Sequence, residues 1–265
     1  MTESDLTRFR QWFSGYVRSF RLPDPGDQEN IALKEEHTRR VCENSVRIAE
    51  AEGLGRNRVL LAETIGLFHD VGRFPQYAEY RTFRDSVSVN HGELGAKVLG
   101  EKGVLHPLSG KEQGIVSTAV RFHNVFRIPD LDDPERVLFI RLIRDADKLD
   151  IWRVFFEYYE EEAGDRPSAV GLGLPDSPGY SPEVLALLFD FRLIPLSMLK
   201  SLNDFKLTKL SWMYDLNFTT TYRLVRENGY IDRIAKTLPR TEEIEKAVAF
   251  LHAYLDKKIK EGKNG

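Results

Sequence analysis

Apolar residues recur at every third or fourth position through most of the chain, which is the periodicity of helices with one buried face. The sequence contains no alternating strand pattern of any length, no internal repeat and no low-complexity tract. It therefore predicts an all-α fold. Helices are expected over about residues 5–20, 29–52, 58–70, 91 onward, 110–124 and 134–162, with about three more toward the C-terminus. The polar segment 72–90 is expected to be irregular.

The length of 265 residues fits one large domain. We expect an N-terminal helix and linker over 1–28, a core with the functional site over 29–162, and a C-terminal helical part over 183–265 packed on the same domain. The segment 163–182 is rich in Gly, Pro and Ser. This composition favours a loop, which could act as a lid.

The formal net charge of −3 gives no indication of a nucleic-acid polymer as partner. No apolar run reaches the roughly 18–20 residues that span a bilayer, and the first residues lack a signal-peptide core, so no membrane partner is expected. Cys42 is the only cysteine, which excludes an internal disulfide and favours a cytoplasmic location. The sequence leaves the oligomeric state open.

The pair His69-Asp70 ends an apolar run, where two polar side chains fit a plain hydrophobic core poorly. Three more histidines lie on apolar helix faces: His37, His91 and His123. A single inward histidine is usually a hydrogen-bonded core residue, but several helices that each offer one favour a metal site. Imidazole with carboxylate suits Mn, Fe, Zn, Co or Ni, and the absence of a nearby cysteine argues against structural zinc.

Asp147 completes this set, because it lies among isoleucines and valines on the long helix that follows Pro134. A buried carboxylate without a partner costs several kcal/mol or becomes protonated, and a metal ion removes that cost. We expect Arg141, Arg144, Asp145 and Lys148 to share one solvated face of this helix. Asp147 lies outside that face, so it is preferred to Asp145 as the ligand.

The order His37, His69-Asp70, Asp147 resembles the HD-domain metal-dependent phosphohydrolase superfamily over about residues 30–155. The resemblance implies an HD-domain helical bundle with additional C-terminal helices. His91 and His123 match positions of the two-metal members. By that resemblance, one divalent ion takes His37, His69, Asp70 and Asp147, and a second takes Asp70 as a bridge with His91 and His123. The segments 69–76 and 82–85 resemble a subgroup of bacterial HD proteins that suggests no substrate.

The resemblance implies a phosphomonoesterase or phosphodiesterase that acts on a nucleotide or another small phosphoester through a metal-bridged hydroxide. Asp70 would position both ions and the attacking group. Arg73 is our first choice for contacting the phosphate, since guanidinium pairs with phosphate in a bidentate way, while Arg84 and Lys148 are weaker choices. Mn or Fe are the expected ions, with Zn, Co and Ni as alternatives. His123-Asn124 replaces the histidine pair of the cyclic-di-GMP-degrading branch, which argues against that substrate.

Two alternatives stay open. Some HD proteins with the same ligand set are mixed-valence diiron oxygenases, which iron content, oxygen consumption and an EPR signal would reveal. The second is a non-catalytic regulatory protein in which metal only ties helices together; its stability would depend on metal while no turnover occurred.

Overall fold

The computed structural model describes residues 1–160 and 174–262, and all regular structure in those ranges is helical, which confirms the all-α prediction. These ranges contain twelve α-helices: α1 Glu3–Arg18, α2 Pro25–Ala51, α3 Arg56–Phe68, α4 Arg73–Tyr80, α5 His91–Glu101, α6 Gly110–Phe122, α7 Pro134–Glu160, α8 Pro182–Phe189, α9 Leu202–Ser211, α10 Thr219–Glu227, α11 Tyr230–Ala235 and α12 Glu242–Glu261. The predicted loop over 163–182 lies outside the described residues up to residue 173. Among the described helices, none combines the length and the apolar character that a membrane span needs.

The chain forms two compact units, Met1–Asp150 and Ile151–Gly265, and the boundary between them falls inside α7. In the first unit, α3 packs against α1, α2 and α6, and α5 packs against α6 and α4. The apolar residues of α3 are buried on nearly every side, from Val59 to Phe68. This helix therefore forms the centre of the unit, which explains why the His-Asp pair at its end is enclosed.

In the second unit, α12 packs against α8, α10 and α11, and α9 packs against α8 and α11. The buried Trp152 ring lies 5.3 Å from the ring of Tyr230 and donates a hydrogen bond to the Lys209 carbonyl. The prediction of about three C-terminal helices was too low, because five are present in the described part. Turns keep the first four of them, α8 to α11, between six and ten residues long. Gly229, at φ 61°, separates α10 from α11.

The prediction that 72–90 is irregular was wrong for its first half, which forms α4. This helix is only eight residues long, and Phe74 and Tyr77 are its buried apolar residues, so the pattern extends over little more than two turns. Phe74 packs edge-on against Phe13 of α1 at 5.7 Å between ring centroids. α2 also begins earlier than expected, because Asp24 caps its N-terminus and Pro25 occupies the first helical turn, where proline is well tolerated.

Candidate metal centre

The six predicted ligands converge in the first unit from five helices. His37 lies inside α2, His69 and Asp70 follow the last residue of α3, and His91 is the first residue of α5. His123 follows the last residue of α6, and Asp147 lies on α7. The four histidines and Asp70 are buried. Polar side chains from the middle of two helices and from the ends of three others therefore meet in the interior of this unit.

The Asp70 carboxylate lies between two pairs of histidines. Its Oδ2 is 3.5 Å from His37 Nε2 and 3.6 Å from His69 Nε2. Its Oδ1 is 3.4 Å from His91 Nε2 and 3.7 Å from His123 Nε2. Each oxygen thus faces one pair, which is the arrangement a carboxylate needs to bridge two ions. We call His37, His69, Asp70 and Asp147 the first group, and Asp70, His91 and His123 the second group.

The donor atoms fit divalent metal ions. The two Nε2 atoms are 3.2 Å apart in the first group and 3.0 Å apart in the second. Nitrogens that each lie about 2.0–2.1 Å from one ion stand roughly 3 Å from one another, so both spacings suit a shared ion. His37, His69 and Asp70 could together hold one metal ion, and the second group could hold another. Asp147 Oδ1, 3.1 Å from His37 Nε2 and 3.7 Å from His69 Nε2, gives the first group a fourth donor.

The Nδ1 atom of each of the four histidines points away from Asp70 and has a hydrogen-bond partner, which is a backbone carbonyl in two cases and a carboxylate in the other two. His69 Nδ1 donates to the Gly66 carbonyl at 2.7 Å, and His123 Nδ1 donates to the Val120 carbonyl at 2.8 Å. A carbonyl oxygen only accepts, so both rings carry a proton on Nδ1, and their Nε2 atoms face Asp70.

The other two histidines are held by carboxylates. His37 Nδ1 donates to Asp150 Oδ2 at 2.6 Å, and His91 Nδ1 donates to Asp85 Oδ2 at 2.7 Å. Each group therefore contains one histidine anchored by a backbone carbonyl and one anchored by an acid. This second layer of hydrogen bonds is typical of metal-binding histidines, because it fixes the tautomer and the ring orientation.

The protonation states follow from burial and from neighbouring charges. Burial lowers the pKa of His69 to about 4, and burial together with Arg73 lowers the pKa of His91 to about 3, so both rings are neutral near pH 7. Burial and Lys34 act to lower the pKa of His37, but hydrogen bonds with Asp147 and Asp150 outweigh them and raise it to about 9. Burial acts against ionisation of Asp70, yet Lys34 and the histidines hold its pKa well below the ordinary value.

Two glycines allow the helix ends to come this close. A Cβ atom on Gly72 would overlap the carbonyl oxygen of His91, and a Cβ atom on Gly92 would lie 2.7 Å from the carbonyl oxygen of Arg121. The first contact joins the turn after Asp70 to the start of α5. The second joins α5 to the end of α6. A side chain at either position would separate the backbones that carry the second group.

The prediction of a solvated face on α7 was wrong. Arg141 is exposed, but Arg144, Asp145 and Lys148 are buried. Arg144 Nη1 donates to the carbonyl oxygens of His123 at 3.0 Å and Val125 at 2.5 Å, so this charge holds the end of α6. α7 is enclosed on most of its surface here, and the helical pattern alone could not separate its buried polar residues from exposed ones.

The three residues predicted to contact substrate occupy different places. Arg73 lies beside the centre, with Nε 3.5 Å from Asp70 Oδ1, while its Nη1 donates to the Phe83 carbonyl at 2.5 Å. Arg84 is exposed on the segment between α4 and α5. Lys148 is buried, and its Nζ lies 3.4 Å from the Arg144 carbonyl oxygen.

Sequence reasoning missed three residues that the structure brings to the site. Lys34 Nζ lies 2.9 Å from Asp70 Oδ2, and Asp85 and Asp150 hold the two histidines described above. Lys34 is one helical turn before His37, and Asp150 is one turn after Asp147, so helical spacing contained a signal for both. Asp85 lies in a short 3₁₀ turn, Asp85–Val87, where no such periodicity applies.

Comparison with known proteins gives one match. Residues 35–152 match the family described as HD domain, a range that contains all six predicted ligands. No curated protein and no solved structure matches the chain.

Proposed function

From the match of residues 35–152 to the HD domain, we propose that the protein is a metal-dependent phosphohydrolase that hydrolyses a nucleotide or another small phosphoester with two divalent metal ions. The first group would hold one ion, and the second group would hold the other. Mn and Fe are the ions we favour, because the donors combine four imidazoles with carboxylates. Zn, Co and Ni suit the same donors.

One observation carries the proposal: each oxygen of Asp70 faces a separate histidine pair. A centre that only ties helices together needs a single ion, whereas a shared carboxylate between two donor sets suits paired ions. Two ions bound side by side lower the pKa of coordinated water and offset the charge that develops on a phosphoryl group. Asp70, which borders both groups, would orient the attacking water.

Positive charge next to Asp70 favours an anionic substrate. Lys34 Nζ borders one Asp70 oxygen at 2.9 Å, and Arg73 Nε borders the other at 3.5 Å. Their side chains are 16% and 15% exposed, so solvent reaches both. Ions bound by Asp70 would compete for its oxygens, which would release these cations to bind phosphoryl oxygens.

An aromatic ring lies beside the two cations. The centroid of Phe83 is 5.3 Å from Lys34 Nζ and 5.8 Å from Arg73 Cζ. This half-buried ring would offer a flat apolar contact to the organic part of a substrate, next to the place where its phosphate binds. The combination supports a phosphoester with an organic group rather than inorganic polyphosphate.

The proposal is tested by phosphate release from a panel of nucleotides, cyclic nucleotides and simple phosphoesters, with protein supplied with Mn²⁺. Turnover that disappears in His69→Ala and Asp147→Ala is the expected result. Lys34→Met should raise KM by about 10–100-fold, since a hydrogen bond to a charged group contributes about 1.5–3 kcal/mol. Lys97→Met, which removes an exposed lysine that pairs with Glu101 on α5, is the matched control and should leave KM unchanged.

Absence of phosphate release from the whole panel, with two ions bound, would contradict the proposal. If iron is bound and oxygen is consumed, the oxygenase alternative replaces it. If metal raises stability and no substrate turns over, the regulatory alternative replaces it.

A further inference from the structure

Asp85 is a carboxylate beside the candidate metal centre that accepts hydrogen bonds from four side chains. Its Oδ2 accepts from His91 Nδ1 at 2.7 Å and from Asn124 Nδ2 at 3.0 Å. Its Oδ1 accepts from Arg73 Nη1 at 2.9 Å and from Gln76 Nε2 at 2.9 Å. Four donors from α4, α5 and the end of α6 therefore fix both oxygens of one side chain.

This arrangement is unusual for the position of Asp85 in the chain. The residue lies in a 3₁₀ turn between two helices, and its side chain is 29% exposed. A carboxylate there could be solvated by water without any protein partner. Gln76 is completely buried, and its amide nitrogen also lies 2.9 Å from Ser88 Oγ and 2.9 Å from the Val89 carbonyl oxygen, so the turn itself is held in place.

We infer that Asp85 is a positioning residue for the second metal ion, and that it acts through His91 rather than on the substrate. The inference rests on the two-ion centre of the proposed function. His91 is the only histidine of the second group whose outward nitrogen is held by a side chain, because His123 is held by the Val120 carbonyl. The bond to Asp85 keeps His91 Nε2 directed toward Asp70 and makes the imidazole a stronger electron donor.

Two consequences distinguish this role from a general structural one. Loss of Asp85 should weaken binding of the second ion and leave binding of the first nearly unchanged, because the histidines of the first group are held by Asp150 and by the Gly66 carbonyl. Arg73 contacts both carboxylates, because its Nη1 donates to Asp85 and its Nε faces Asp70. Substitution of Arg73 should therefore weaken metal binding as well as the binding of a substrate.

The experiment compares wild type, Asp85→Ala, Asp85→Asn and a control, Asp27→Asn. Asp27 is a similarly exposed aspartate of the same unit, 26% exposed, that accepts from the buried Tyr77 hydroxyl and contacts no predicted ligand. Mn²⁺ titration gives the number of ions and their affinities. EPR at two equivalents of Mn²⁺ separates a coupled pair from isolated ions, and circular dichroism shows that each metal-free variant is folded.

We expect wild type and Asp27→Asn to bind two ions and to give the coupled signal. Asp85→Ala should weaken the second ion by about 10–100-fold, the range known for outer hydrogen-bond partners of metal ligands, and should give the signal of isolated Mn²⁺. Asp85→Asn keeps an acceptor oxygen for His91 and should recover part of the affinity. If Asp85→Ala fails to fold, the Asn variant should still show a selective loss at the second ion.

Wild-type affinity for both ions in Asp85→Ala and Asp85→Asn would overturn the inference, as would an equal loss of both ions. A wild-type protein that binds one ion would overturn it together with the two-ion centre. If two ions bind and Asp85→Ala loses one, the inference holds even when no phosphoester is hydrolysed.

Discussion

Replacement of Gly72 by alanine tests how the close packing of helix ends creates the second group. Gly72 has φ −71°, a value that alanine adopts freely, so the cost arises from contact alone. The new Cβ would overlap the His91 carbonyl oxygen and lie 2.7 Å from the Gly95 nitrogen, whereas ordinary contacts begin at 3.4 Å. Relief of the contact with the Gly95 nitrogen requires the start of α5 to move by about 0.7 Å, and relief of the overlap with the His91 oxygen requires more. Such overpacking typically costs about 1–3 kcal/mol.

This displacement is large compared with the tolerance of a metal site, where ligand distances hold to within about 0.2 Å. His91 moves with α5, so the second ion should bind at least about tenfold more weakly. The melting temperature of the metal-free protein should fall by about 2–12 °C, since 1 kcal/mol corresponds to roughly 2–4 °C at this size. Calorimetry and Mn²⁺ titration measure the two effects.

The matched control is Gly15→Ala in α1, where a Cβ would meet nothing within 4 Å. It should leave metal binding unchanged and raise stability by up to about 1 kcal/mol, because alanine favours a helix interior. If Gly72→Ala melts like wild type and binds both ions with wild-type affinity, the close approach of the two backbones does not build the second group.

Three further outcomes follow from the same geometry. Asp70→Ala should bind neither ion tightly, because both groups share this carboxylate, while His91→Ala should lose only the second ion. Mn²⁺ titration distinguishes the two variants, and retention of both ions by Asp70→Ala would exclude the bridge. Chelator should lower the melting temperature of wild type, since an ion at a hundred times its Kd stabilises the folded state by about 2.7 kcal/mol, and an unchanged value would argue against bound metal. Affinity for the first ion should fall as the pH falls below about 9, by up to tenfold per pH unit, because the raised pKa of His37 means that the ion must displace a proton from this ring. Calorimetry in buffers of different ionisation enthalpy should detect one released proton, and a pH-independent affinity would contradict this prediction.

The sequence was most informative where a helix carries a polar residue on an apolar face. His37, His123 and Asp147 could be selected in this way because helical spacing assigns a face to each residue. The pairing of these residues across the centre depends on tertiary contacts, which the resemblance to a known family supplied. Periodicity by itself would have left six inward polar residues without partners.

The incorrect prediction for α7 has a physical cause, which is that enclosure hides the contrast between helix faces. Around Asp147, the helix α7 buries Arg144 and Lys148 as well as apolar residues, so a charged residue did not indicate solvent. α4 was missed for another reason, because an eight-residue helix with two buried aromatic residues offers little more than two turns of pattern. Asp85 contacts His91 from a turn, and no rule of spacing applies to a carboxylate in that position.

We propose that Asp70 bridges two metal ions, each held by its own pair of histidines. Anomalous diffraction from crystals grown with Mn²⁺ tests it most directly, because it locates each ion independently of any activity. We predict two anomalous peaks about 3.5–4 Å apart, the spacing typical of two-metal sites, with one beside His37 and His69 and the other beside His91 and His123. A single peak, or none within reach of Asp70, would contradict the account.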